Sequence, residues 1–112
     1  WTEPPIRHEE RLWRIVDVLV EIGAAHGVSA AQVALAWLLT RPAISSLVVG
    51  GRTEAQLIEN FGALELKLSA DEMSRLNAIS LPPEIYPYWH QGQFAAARFS
   101  EADWALHANW RR

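Results

Sequence analysis

The sequence predicts a mostly helical slice of an α/β fold, and three observations carry that expectation. Apolar residues recur at helical spacing in several stretches, helix-start signatures open most of them, and one short β-branched run lies in their midst. A strand fed by one helix and feeding another belongs to an α/β fold, because parallel strands need helical crossovers.

Leu12, Ile15, Val16, Leu19 and Ile22 repeat at intervals of three and four, so residues 7–26 are expected to form a helix with one apolar face. Pro4 and Pro5 stand just before it and Gly27 just after, as helix termini favour. The second helix opens at Ser29, whose hydroxyl can cap the third amide while Gln32 reaches back; Val28 and Val33 supply the flanking apolar staple. It runs through Val33, Ala34, Leu35, Ala36, Trp37, Leu38 and Leu39 and stops before Pro42. Apolar on nearly every side, it demands enclosure by other elements.

Ile44-Ser45-Ser46-Leu47-Val48-Val49 is short, partly β-branched and bounded by Pro42 and the Gly50-Gly51 pair, which predicts a buried strand. No second run of this kind stands elsewhere. Burying an unpaired ladder group costs on the order of 1–3 kcal/mol, so this strand is expected to pair with the remainder of a larger domain or with a second copy.

Thr53-Glu54-Ala55-Gln56 has the pattern of another capping box and opens a helix carrying Leu57, Ile58, Phe61 and Leu64 toward a core. Ser69-Ala70-Asp71-Glu72 is a further box, with Leu68 and Met73 as staple, for a helix through Leu76 to about residue 78. From residue 81 to 89 the prolines at 82, 83 and 87 predict a loop. The tail is expected to recover one helix over 100–109. The domain organisation expected is therefore one partial domain over 1–112, with residues 1–89 as the body and its loop and 90–112 as a tail.

Composition narrows the function. With 112 residues there is room for one domain at most. No Cys is present, which removes disulfide frameworks and thiol nucleophiles. A net charge of −3 withholds the positive field that nucleic acid or anionic lipid selects, so neither is an expected partner. The apolar runs are too short for a transmembrane helix and the first residues lack a basic n-region, from which a cytoplasmic chain is expected. Six Trp are many for this length and suggest side chains whose partners lie in a larger whole.

Chemistry concentrates where the strand meets the third helix. The amides of a helix start and the positive end of its dipole favour an anion, and Gly50-Gly51 allows a phosphate to approach the backbone. Arg52 adds a planar donor fork suited to phosphate oxygens. Gln56 follows Arg52 by four residues and Asn60 follows Gln56 by four, which lines all three along one side of the helix. A bare strand-to-helix turn with a solvated polar face fits the same residues, since a Gly-Gly pair is a weak motif.

Residues 27–89 resemble the C-terminal part of the aldo-keto reductases. The resemblance is carried, in order, by the helix Ser29 to Leu39, a short strand, the pattern Gly-x-Arg-x-x-x-Gln-x-x-x-Asn from Gly50 to Asn60, Leu68-Ser69-Ala70-Asp71-Glu72-Met73, and Tyr86-Pro87-Tyr88-Trp89. It implies the last portion of a (β/α)8 TIM barrel, in which loops after the seventh and eighth strands form a phosphate site. It further implies that Gly50, Gly51, Arg52 and Thr53 surround the 2′-phosphate of NADP(H), with Gln56 beside it and Glu59 and Asn60 near the adenine. Some members place Lys where Gly50 stands, so Arg52 supplies the positive charge alone. The family's catalytic Asp, Tyr, Lys and His have no match here, and by this resemblance the chain is a non-catalytic fragment of an NADP-dependent oxidoreductase acting on small carbonyl substrates.

Weaker candidates complete the survey. His8, His26, His90 and His107 are scattered, and Asp103 with His107 falls short of the three or four ligands zinc needs. Tyr86 and Tyr88 lack a neighbouring Lys or His and suit a pocket rim. Glu9, Arg11 and Arg14 form a solvated face. An alternative reading takes Ala24 to Val33 as a helix-turn-helix, but the would-be recognition helix offers Gln32 alone and no Lys or Arg to DNA. A non-catalytic interaction fragment is the other alternative.

Overall fold

The computed structural model describes residues 8–81, together with Phe94, Arg98 and residues 100–102. The chain divides into two compact units, Trp1–Ile79 and Ser80–Arg112. Four helices are described: α1 (Glu9–His26), α2 (Ala30–Leu39), α3 (Glu54–Phe61), which continues into a 3-10 turn at Gly62–Leu64, and α4 (Ala70–Ser80). The loop at residues 82–89 and most of the expected tail helix lie outside the described residues, as do Pro4, Pro5, Tyr86, Tyr88, His90, Asp103 and His107.

The helix boundaries follow from local chemistry. Gly27 ends α1 in the left-handed region at φ 68°, where a side chain would be strained. Its N–H bonds the Ala24 carbonyl and the next N–H, of Val28, bonds Gly23 O at 2.9 Å, so two orphan carbonyls are satisfied by one turn. α2 then departs at 98° to α1. Its capping box is complete: Gln32 N–H donates to Ser29 Oγ at 3.3 Å and Ser29 N–H donates to Gln32 Oε1 at 3.0 Å. α4 repeats the device, with Glu72 N–H on Ser69 Oγ and Ser69 N–H on Glu72 Oε2 at 2.7 Å.

The core gathers Ile22 of α1, Val33 of α2 and Leu76 of α4, all at 2% exposure or less. Val18, Leu19, Val28, Trp37, Leu66 and Leu68 pack around them. Burying each of the three is worth about 1.5–3 kcal/mol. The enclosure expected for α2 is incomplete, because only Val33 and Ala36 are buried while Leu35 and Leu38 are half-buried.

The expected strand at 44–49 is not formed, and the described residues contain no strand at all. The physical reason is the lack of a partner: no backbone bond among the described residues reaches residues 45–49. A turn closed by Ile44 N–H on Arg41 O precedes the segment. Half of the strand pattern survives in the side chains, since Leu47 and Val49 are half-buried while Val48 between them is fully exposed at 103%. The fold as described is therefore helical, and the α/β character expected from the sequence rests on pairing that this segment does not make here. Leu57, Ile58, Phe61 and Leu64 likewise fall short of the core expected for them: Leu57 is half-buried and the other three are exposed.

Candidate functional site

The residues singled out at 50–60 are brought together by α3. Thr53 takes the N-cap position, its Oγ1 accepting from Gln56 N–H at 3.3 Å. The reciprocal arm of the expected box goes elsewhere: Gln56 Oε1 accepts from the Arg52 N–H at 2.8 Å instead of from Thr53. One turn on, Asn60 Nδ2 donates to the Gly50 carbonyl at 3.2 Å. Gly50, Arg52, Thr53, Gln56 and Asn60 are thus brought together. Glu59 lies exposed beside Asn60 and joins none of these bonds.

The two glycines differ in what they do. A Cβ on Gly51 would stand 2.9 Å from Leu57 Cγ and 3.2 Å from the Thr53 carbonyl, so a side chain here would push Leu57 aside and the close approach of this turn to α3 favours glycine. Around Gly50 nothing lies within 4 Å of the same position, and the turn is open there. Arg52 is exposed, and among the described residues no carboxylate pairs with its guanidinium. The first-turn N–H groups of Glu54 and Ala55 also bond no described residue, as expected at a helix start. Glu54, also in this first turn, puts a carboxylate near the positive end of the dipole, so an anion here depends on the Arg52 charge.

A second group of polar residues was not legible beforehand. Asn77 Oδ1 accepts from Trp37 Nε1 at 2.9 Å and from Arg41 Nη1 at 2.8 Å, while the Arg41 guanidinium lies over the Trp37 ring at 4.5 Å from its centroid. His26 Nε2 meets Glu72 Oε1 at 2.8 Å, and Arg75 Nη2 donates to Glu21 Oε2 at 2.6 Å. The Ser69 amide, the Ser69 hydroxyl and then His26 hold the Glu72 carboxyl below its ordinary value of 4.5. These bonds join α4 to α1 and α2 with their polar ends answered inside the chain, and they read as fastenings, not as a site. Their partners stand 36 to 54 positions apart, a distance over which no spacing rule operates. Among the described residues no three of His, Cys, Asp and Glu gather as a metal site.

Gln32, the one base-reading side chain of the helix-turn-helix alternative, is committed to the Ser29 cap, and its amide nitrogen lies against Gly62. Among the described residues no single helix is long and apolar enough to cross a membrane.

Comparison with known proteins places the chain. It is 33% identical to protein tas of Escherichia coli over 79 residues, 70% of this chain and 22% of that protein. Versiconal hemiacetal acetate reductase of Aspergillus parasiticus is 32% identical over 81 residues, 72% of this chain and 23% of the reductase. Pyridoxine 4-dehydrogenase of Escherichia coli is 42% identical over 64 residues, 57% of this chain and 22% of the dehydrogenase. The chain thus spans less than a quarter of the length of these relatives. The Aldo/keto reductase family profile matches residues 3–81, covering all four helices and the candidate site at 50–60, and the chain belongs to that family.

Proposed function

We propose that this chain supplies the 2′-phosphate and adenine end of an NADP(H) site in an oxidoreductase that interconverts carbonyls and alcohols, as one slice of a (β/α)8 barrel. The observation that carries this reading is the turn at 50–52, bonded at both ends to α3, with the Arg52 guanidinium and the Glu54 and Ala55 amides unanswered among the described residues. That donor set fits a dianionic phosphate: a planar charged fork, helix-start amides and an open approach at Gly50. Gly50, Gly51, Arg52 and Thr53 surround the phosphate, Gln56 lies beside it, and Glu59 and Asn60 take the adenine. NADP(H), when bound, supplies the hydride. The residues of this chain only bind and orient; the proton donor and the groups that tune it belong to parts of the enzyme without counterpart here. Residues 44–49 complete their ladder against barrel strands outside this sequence. Names of relatives that specify a reductase and a dehydrogenase support the reaction class.

The test is a fluorescence titration of the full-length protein carrying this chain with both cofactors. Arg52→Ala is expected to weaken NADPH by roughly 1.5–3 kcal/mol and to leave NADH nearly unchanged, because NADH has no 2′-phosphate. Equal losses would remove Arg52 from the phosphate site.

A further inference from the structure

The two amide side chains that α3 turns back on the glycine loop act with opposite polarity on either side of Gly51. Gln56 accepts the N–H of Arg52 and Asn60 donates to the C=O of Gly50. Between them Gly51 rests against Leu57, too close for a Cβ. Successive turns of α3 therefore grip three consecutive backbone units in register, and a slip of the loop by one residue breaks both hydrogen bonds together. The bond that Gln56 makes is to the backbone of Arg52, leaving the guanidinium free to reach outward.

From this arrangement, and resting on the assignment of Arg52 to the 2′-phosphate, we propose that Gln56 is a positioning residue. It acts on the phosphate through Arg52, with Asn60 anchoring the other end of the clasp at Gly50. A flexible arginine on an unheld loop loses more freedom on binding than one whose backbone is fixed beforehand, so the Gln56 bond to the Arg52 backbone raises affinity by holding the loop and not by touching the phosphate.

A double-mutant cycle in the full-length protein separates the two roles. Gln56→Ala alone is expected to weaken NADPH about tenfold, the scale of one hydrogen bond, with NADH little changed. In the Arg52→Ala background the same substitution is expected to cost less than about twofold, since the group it positions is gone. An equal loss in both backgrounds, or no loss in either, overturns the proposal. Amide hydrogen exchange without cofactor provides an independent reading: the Arg52 amide exchanges faster in Gln56→Ala and stays protected in Gln56→Glu, whose carboxylate still accepts the bond. Unchanged exchange in Gln56→Ala removes the clasp. An Arg52→Ala variant that binds NADPH like the parent protein removes the phosphate assignment instead, so the two failures are distinguishable.

Discussion

The α1–α2–α4 core and the α3 site region are held by bonds of different reach. In the core, polar links span 36 to 54 positions and surround the buried Ile22, Val33 and Leu76. At the site, the side-chain bonds span three to ten positions, α3 has no buried residue, and Ile58 and Phe61 stand 63% and 59% exposed. Burial of Ile22, Val33 and Leu76 gives the core its stability with long-range polar links around it, and short-range bonds give the candidate site its shape. A substitution in one region should consequently leave the property governed by the other almost untouched.

The strongest way to break that division is to empty the core. Ile22→Ala or Leu76→Ala is expected to cost about 2–5 kcal/mol in urea-induced unfolding followed by circular dichroism. Ile58→Ala, on the exposed face of α3, should cost far less. Comparable losses would show that α3 is part of the core after all.

Next comes the fastening itself. Asn77→Leu removes the acceptor shared by Trp37 and Arg41 and leaves two half-buried donors unanswered, for an expected loss of about 1–3 kcal/mol by the same measurement. Retained stability would mean that water replaces the amide without cost.

A smaller effect is expected from pH. Because the folded-state value of Glu72 lies below 4.5, its contribution is complete above that pH and is lost as pH falls through the depressed value. Glu72→Gln should therefore be less stable than the parent at neutral pH, by about 1 kcal/mol or less, and the difference should close as pH falls through the depressed value below 4.5. A gap that persists into strong acid would assign the loss to packing instead of charge.

The smallest expected change in stability belongs to Arg52, the residue proposed to matter most to the cofactor. Arg52→Ala should shift unfolding by no more than about 0.5 kcal/mol, as exposed substitutions do. A larger loss would give Arg52 a part in the fold and blur the contrast between regions.

The same contrast governs what the sequence revealed. Ser29 with Gln32, Ser69 with Glu72, Gly27 after α1 and the face shared by Gln56 and Asn60 were all legible, because each is a relation between residues within a turn or two. Asn77, Arg41, His26 and Glu72 as mutual partners were not, since their meeting is a product of how the helices pack. The strand at 44–49 shows the converse: its composition was legible, but pairing is a property of two segments, and the described residues hold only one. At residues 50–60 the spacing put Arg52, Gln56 and Asn60 on one side of the helix, yet the direction of the Gln56 side chain was not legible. Its reach to Arg52 instead of Thr53 depends on how the glycine turn approaches α3.

Gln32 closes the start of α2 and, through its amide nitrogen, fills the space that a side chain at Gly62 would occupy at the end of α3. One residue is thus read at two helix ends, and a change at either position is felt at the other. Enlarging position 62 alone displaces the Gln32 side chain and breaks its bond to the Ser29 N–H, while shortening position 32 alone leaves a gap over Gly62. Lineages that change either one are expected to have changed both, trading glycine at 62 for a small residue at 32, so that pairwise covariation across 30 positions would record a contact that no single site could advertise.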